Sequence, residues 1–273
     1  DGTMNEKFKA VLELPEGVSY STGDYLEVLP KNSSSGVNRV LDHFQLAGED
    51  RIKLSGCSTF LPIDQVLTIN DLLENYVELA TPLSKRHLDL AVAQCQCPPE
   101  KAQLSQLAET ETFNELLEKR TSLLDFLETF RSVDFTFGQF ISMLEPLRAR
   151  RYSISSSALG EPTKPSLTFS RIESPAWSGR GTFTGVSSNY LAKQQAGSKI
   201  LVSVVPGNRH FQVEPDPSIP MILIGAGTGI APLRAFIEER ATRCHNEGIT
   251  PAKSLFFYGC HGPESDFLYS EEL

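Results

Sequence analysis

The stretch from Met221 to Tyr258 constrains the fold more than any other part of the chain. A strand pattern at Met221–Ile224 runs into Gly225-Ala226-Gly227-Thr228-Gly229, followed by a helical pattern over Ala231–His245 and a second strand pattern over Ser254–Tyr258. Strand, glycine turn, helix and strand in that order predict the opening of a right-handed βαβ unit with parallel strands. Glycines let backbone approach a phosphate closely, and the helix beyond them presents unpaired N–H groups and the positive end of its dipole. Pro232 suits the first helical turn, where its missing N–H has no partner to lose. The ordinary dinucleotide fingerprint is not met, because Ile230 holds the third glycine position and Tyr258-Gly259 stands where an acid would grip a ribose. Taken alone, the segment satisfies both a tight turn and a phosphate cradle.

Upstream, the hydrophobic period changes twice. Phe8–Leu14 and Tyr25–Leu29 alternate as strands around turns at Pro15-Glu16-Gly17 and Gly23-Asp24. From about Gly36 to Leu147 the period is helical, apart from a strand-like interlude near Arg51–Leu54. Thr68–Asp71 resembles a capping box. Phe113, Leu116, Leu117, Arg120, Leu123, Leu124, Leu127 and Phe130 keep helical spacing and read as a core stripe. Strands return at Arg151–Ser156, Ser166–Ile172 and Lys199–Val205, with a helix at Ser187–Lys193, and Pro215-Asp216-Pro217 reads as a linker.

The 273 residues allow two domains, or one with a large insertion. A net charge of −9 argues against a nucleic-acid partner, which calls for a basic patch. The five cysteines give no disulfide framework, and Cys95-Gln-Cys97 is neither a redox pair nor half of a common zinc site. The five histidines show no metal-ligand spacing. No apolar run approaches the ~20 residues that span a bilayer. The chain opens inside a strand pattern and stops at Glu-Glu-Leu as a helix begins, so it reads as an excised piece.

Three further segments carry possible chemistry. In Arg150-Arg151-Tyr152-Ser153-Ile154-Ser155-Ser156-Ser157, alternation puts Arg150 and Tyr152 on one side of a strand and Arg151 and Ser153 on the other. An arginine beside an aromatic can clamp a pyrophosphate while the ring lies on a heterocycle; a solvated arginine pair flanking a half-buried tyrosine fits equally. Gly179-Arg180-Gly181, then Thr184-Gly185-Val186-Ser187-Ser188-Asn189, offers either a second phosphate cradle or an N-capped surface helix. Cys260 ends the second strand of the glycine-turn unit, where a nucleotide can rest, although a lone cysteine there is more often structural.

In this order, these elements resemble the FAD/NADPH half of the diflavin reductases related to NADPH–cytochrome P-450 reductase. The resemblance runs nearly end to end, through Gly23-Asp24, Cys97-Pro98-Pro99, Arg150–Ser155, Gly185–Ser188, Gly225–Pro232 and Tyr258-Gly259-Cys260. Ala176-Trp177-Ser178-Gly179-Arg180-Gly181 looks most like the reductase part of self-sufficient, fused monooxygenases. The resemblance implies a ferredoxin-reductase-type antiparallel FAD-binding β-barrel (residues 1–35 and 148–216) with a helical connecting insertion (36–147). A truncated Rossmann-like NADP-binding α/β domain (217–273) would follow.

By position, Arg150 would bind the FAD pyrophosphate, Tyr152 would pack on the isoalloxazine and Ser153 would hydrogen-bond near flavin N5. Gly185, Val186, Ser187 and Ser188 would hold the pyrophosphate from the helix start. Gly227 and Thr228 would meet the NADPH phosphates, with Cys260 at the nicotinamide end. Hydride would pass from NADPH to FAD, and electrons would leave through an FMN domain to a haem monooxygenase in the same cytoplasmic parent polypeptide.

Two departures stand out: Arg151 replaces the usual tyrosine of the arginine–tyrosine–tyrosine–serine motif, and Arg209 sits where relatives often carry serine. The piece is also expected to bind FAD far better than it reduces it, since the family's later nicotinamide-binding segments are not in it. Two other readings stand beside this one. The chain is either the FAD half of a sulfite reductase or nitric oxide synthase type of diflavin reductase, or a truncated, non-catalytic flavin-binding or interaction module.

Overall fold

A computed structural model describes residues 6–273 apart from Cys57, Arg180, Pro263 and Ser265, and without the side chains of Thr110, Glu111, Thr112 and Leu116. Leu116 of the core stripe and Arg180 of the glycine turn therefore lie outside the described set. The chain opens with β1 (Lys7–Val11) and β2 (Tyr25–Leu29). Helices then dominate: α1 (Ser34–Phe44), a small hairpin of β3 (Arg51–Lys53) and β4 (Val66–Thr68), α2 (Ile69–Asn75), α3 (Lys85–Gln94), α4 (Pro98–Leu107), α5 (Thr110–Glu118), α6 (Leu123–Thr129) and α7 (Phe137–Met143). Strands return as β5 (Arg150–Ser153), β6 (Ser166–Ser170) and the hairpin β7 (Glu173–Pro175) and β8 (Thr182–Thr184), ahead of α8 (Val186–Ala192) and β9 (Leu201–Val205). Then come β10 (Ile222–Ala226), a 3-10 turn at Gly227–Gly229, α9 (Ile230–Glu247) and β11 (Leu255–Gly259).

Two compact units emerge from this order. The first combines Asp1–Leu29, Ala149–Arg171 and Leu191–Leu273; the second combines Pro30–Arg148 and Ile172–Tyr190.

In the first unit β2 is the central strand of an antiparallel sheet, flanked by β5 and β9. Its alternation decides its two faces. Leu26 and Val28 are fully buried, each worth about 1.5–3 kcal/mol. Glu27, on the other face, meets its cross-strand partner Arg151 with Nε–Oε1 at 2.6 Å. β1 pairs antiparallel with β6, and an isolated bridge from Ile154 to Leu167 continues β5 onto β6. β10 and β11 run parallel in register from Ile222↔Leu255 to Ala226↔Gly259, as the βαβ pattern predicts. One face of this pair packs Leu223 and Phe256 against Leu233 and Phe236 of α9. On the other, Ile222, Ile224, Leu255 and Phe257 are each more than half exposed.

The second unit owes its core to the helical stripes. Val40, Leu72, Leu73, Leu88, Leu104 and Phe126 belong to one buried cluster. Ser33, Thr68, Ser84, Ser122 and Thr136 cap their helices by accepting from the N–H three residues on, each worth about 1 kcal/mol. The helical spacing read from Phe113 to Phe130, with one charged interruption, is divided between two helices. α5 ends at Glu118, Arg120 turns left-handed (φ 47°), and Ser122 caps a new helix. Periodicity could not reveal this, because the four-residue gap keeps Leu123, Leu124 and Leu127 facing the same core. The hairpin β7–β8 was also not apparent from alternation, its strands being only three residues each.

Candidate nucleotide-binding site

The glycine turn is shaped by close packing on one side and open space on the other. A Cβ at Gly225 would lie 2.7 Å from Leu233 Cδ1, and one at Gly259 would lie 3.2 Å from Ala226 Cβ. Gly225 therefore lets α9 sit down on the strands, and Gly259 leaves room for Ala226, its partner on β10. Gly227 takes a left-handed conformation (φ 50°), and a Cβ there or at Gly229 would meet nothing within 4 Å. Gly229 precedes α9 without a side-chain cap, and the first helical N–H, that of Ile230, is taken by the Gly227 and Thr228 carbonyls. Ile230, at the position of the missing third glycine, is fully buried, so close approach has been exchanged for core packing.

β11 holds this turn from beside it. Tyr258 Oη donates to the Gly227 carbonyl at 3.0 Å and lies 3.4 Å from the Asp266 carbonyl. Its ring stacks on Phe267 with centroids 5.3 Å apart. Burial, the leading influence, pushes the Tyr258 hydroxyl above the usual phenol range, so it stays a donor near neutral pH. Cys260, a free thiol, follows the strand end half-buried. The hydrogen bond from the His261 ring leads in holding the Asp266 carboxyl below the usual carboxylate range; backbone N–H groups of Gly262 and His261 add to it.

In the same unit, β5 carries Arg150, Tyr152 and Ser153. Arg150 is exposed and Tyr152 half-buried; both pair with β2 through its buried residues, Val28 and Leu26. The Tyr152 ring meets Phe169 edge-on at 5.9 Å, and Phe169 stacks on Phe8 at 5.5 Å. Arg151, on the opposite face, is engaged by Glu27. Among the described residues no group hydrogen-bonds the half-buried Ser153 hydroxyl. Arg209 is exposed.

Asp24 fixes the end of this strand. Its carbonyl accepts from Ile154 N–H at 3.1 Å, while its carboxylate takes Ser21 N–H at 2.8 Å and Gly207 N–H at 2.9 Å. Gly23 is left-handed (φ 96°), and a Cβ on Gly207 would fall 2.1 Å from the Gly23 carbonyl oxygen.

Beyond β5, the chain is tied to α9. Arg234 Nη1 donates to the Ser155 carbonyl, and Glu238 accepts from Ser157 N–H at 2.8 Å. Tyr20 Oη donates to the Ser157 carbonyl at 2.9 Å. Sequence reasoning missed Arg234, Glu238 and the Tyr258–Gly227 bond. An arginine and a glutamate four apart on a helix were the available signal for the first two, but that spacing is equally that of a surface ion pair.

Gly185, Val186, Ser187 and Ser188 belong to the second unit, at the start of α8. Ser187 and Ser188 are buried. Ser188 Oγ accepts from Ile172 N–H at 3.1 Å and reaches the Gly185 carbonyl at 3.2 Å. Asn189 Nδ2 donates to the Ile172 and Gly185 carbonyls. A Cβ on Gly185 would lie 2.8 Å from Ser188 Oγ and 3.0 Å from Ile172 Cβ. These side chains build the turn itself.

Among the described residues, no group of three or more His, Cys, Asp or Glu could hold a metal ion, and no helix is long and apolar enough to cross a membrane.

Known proteins agree with this arrangement of segments. The family model for the FAD binding domain matches residues 12–190, and that for the oxidoreductase NAD-binding domain matches 223–273. The bifunctional cytochrome P-450/NADPH–P-450 reductase 2 of Bacillus subtilis is 40% identical over 266 residues, 96% of this chain and 25% of that protein. A bifunctional cytochrome P-450/NADPH–P-450 reductase of Acremonium egyptiacum is 41% identical, over 98% of this chain and 25% of its own length. A self-sufficient cytochrome P-450 monooxygenase of Exserohilum turcicum is 40% identical, over 95% and 24%. The chain thus spans about a quarter of the length of these relatives. With an FAD-binding segment running into an NAD-binding one, it belongs to the diflavin reductase family, as a flavin- and nicotinamide-binding oxidoreductase module.

Proposed function

We propose that this chain accepts hydride from NADPH onto FAD and passes electrons, through an FMN domain, to a cytochrome P-450 haem in the same parent polypeptide. The names of the relatives, and the quarter of their length that the chain spans, support the last part of this reading. The observation that carries the first part is the tie between Arg234 and the Ser155 carbonyl. It joins the helix that follows the glycine turn to the strand end just beyond Tyr152 and Ser153.

FAD, when bound, supplies the hydride acceptor and the change from two-electron to one-electron transfer. The protein's part is to hold and orient. Arg150 supplies a fixed cation for the pyrophosphate. Tyr152, braced by Phe169, offers a ring for the isoalloxazine, and Ser153 brings a hydroxyl to its edge, near N5. Gly185, Val186, Ser187 and Ser188 form a second pyrophosphate support at the start of α8, where Gly185 serves by shaping the turn, because its own N–H is taken by the Ile172 carbonyl and the Ser188 hydroxyl is already engaged. Open space at Gly227 and Gly229 fits a dinucleotide pyrophosphate against the start of α9, with Thr228 beside it and Cys260 toward the nicotinamide. On this reading residues 1–35 and 148–216 form an FAD-binding β-barrel, 36–147 the connecting insertion, and 217–273 part of a Rossmann-like domain.

Reconstitution with FAD and with FMN tests the flavin site. Selective, stoichiometric FAD retention with a perturbed visible band, weakened in Tyr152→Ala, is the expected result. A folded chain that retains neither flavin would overturn the reading.

A further inference from the structure

The glycine turn owes its orientation to a side chain outside it. The Gly227 carbonyl accepts two hydrogen bonds, from Ile230 N–H at the start of α9 and from Tyr258 Oη at 3.0 Å. The same oxygen lies 3.4 Å from the Asp266 carbonyl, so one hydroxyl faces both the turn and the segment after β11. Stacking on Phe267 and a tilted contact with Phe256 at 5.7 Å hold its ring.

The peptide between Gly227 and Thr228 is trans, so its N–H points opposite to its C=O. With the carbonyl drawn toward Tyr258 and Ile230, the Thr228 N–H must point the other way. No Cβ on Gly227 obstructs that side, and Gly227 holds the left-handed φ that permits the orientation. Were the plane to flip, a carbonyl oxygen would face an incoming phosphate instead of a donor.

We propose that Tyr258 is a positioning residue for the nicotinamide dinucleotide: its hydroxyl fixes the Gly227–Thr228 peptide so that the Thr228 N–H is presented to the pyrophosphate. The inference rests on the reading of the glycine turn as the dinucleotide site and adds what sets the turn's orientation. Tyr258 acts through the turn, so its contribution falls on a pyrophosphate bound there and leaves FAD, whose own pyrophosphate is assigned to Arg150 and the start of α8, untouched.

The test is an amide chemical-shift titration of the full chain, loaded with FAD, using NADP⁺ and inorganic pyrophosphate as probes. In Tyr258→Phe both probes are expected to bind about fivefold more weakly, the share of one neutral hydrogen bond. The Thr228 amide resonance should move before any ligand is added, and the flavin band should be unchanged. Phe267→Leu, which loosens the ring but keeps the hydroxyl, should bind both probes within about twofold of wild type. A folded Tyr258→Phe chain with wild-type affinities would overturn the proposal and leave the dinucleotide site standing. Equal losses in Phe267→Leu, or a Tyr258→Phe chain that fails to fold or to retain FAD, would assign the tyrosine to general packing and overturn it too. If the wild-type chain binds neither probe, the reading of the turn as the dinucleotide site fails, and the proposal with it.

Discussion

Arg234 Nη1 lies 2.5 Å from the carbonyl oxygen of Ser155, residues 79 positions apart in the sequence. The arginine is 6% exposed, its Nη2 meets Glu272, and its guanidinium sits over the Tyr269 ring at 4.8 Å. The helix that follows the glycine turn is thereby fastened to the strand end that follows Tyr152 and Ser153. The glycine-turn helix and the end of β5 are held together by one buried cation, and among the described residues its remaining donor, Nε, has no partner.

Arg234→Met should therefore destabilise the chain. Glu238 and Glu272 are 38% and 45% exposed and can rehydrate, so the loss is dominated by the orphaned Ser155 carbonyl and the displaced packing. About 2–3 kcal/mol is expected, less than for a fully buried ion pair. Urea unfolding followed by circular dichroism measures it; a midpoint equal to wild type would show that the tie carries no weight.

Gly207 and Gly17 make a matched pair of substitutions. Gly207→Ala drives a Cβ to within 2.1 Å of the Gly23 carbonyl, beside the Asp24 anchor, and should lower stability by about 3 kcal/mol or more. Gly17→Ala meets only its positive φ of 81° in open space, for about 1 kcal/mol. Thermal unfolding of the two variants should rank them in that order.

Asn32 tests the end of α2. Its buried amide donates to the carbonyls of Leu73 at 2.7 Å and Val77 at 2.6 Å. Asn32→Ala leaves both without that donor, and a loss of about 2–3 kcal/mol should appear in the same unfolding assay. A change under about 0.5 kcal/mol would mean that water replaces the amide freely.

His87 gives the helical unit a pH dependence. Burial, then the neighbouring Arg86, lowers its pKa below the ordinary histidine value. Ser84 N–H donates to its Nδ1 at 3.2 Å, which requires that nitrogen to be unprotonated. A folded-state pKa below the unfolded one gives a stabilisation that is present above about pH 6.5 and is lost as pH falls through the folded value. His43, lowered mainly by burial, acts in the same direction. The urea midpoint should fall between pH 7 and 5, and less steeply in His87→Gln, whose amide oxygen can still close the capping box. Equal slopes for the two proteins would rule out His87 as the source.

How much was legible in sequence depended on whether local chemistry or distant packing made the feature. Tyr25–Leu29 could be read to the residue, because alternation over a half-buried sheet leaves one solution. The glycine turn and its parallel strands were equally plain. The break at Arg120 was not, since caps at Ser122 and a core shared by both helices preserve the period across it. Tyr258 was visible only as the residue where an acid is customary; that its hydroxyl reaches back 31 positions to Gly227 depends on β10 and β11 lying in register. At Ser188 the sequence left a phosphate cradle and an N-capped helix equally open, and it could not reveal that the hydroxyl accepts from Ile172 N–H and donates to the Gly185 carbonyl.

The uncovered face of β10 and β11 has a practical consequence at the bench. Ile222, Ile224, Leu255 and Phe257 stand between 57% and 74% exposed on one small parallel sheet, the kind of surface that solvatochromic dyes adsorb to. The folded protein should fluoresce with such a dye before it is heated, flattening dye-based melting curves. Its elution from a phenyl resin should likewise track these four side chains rather than any unfolding.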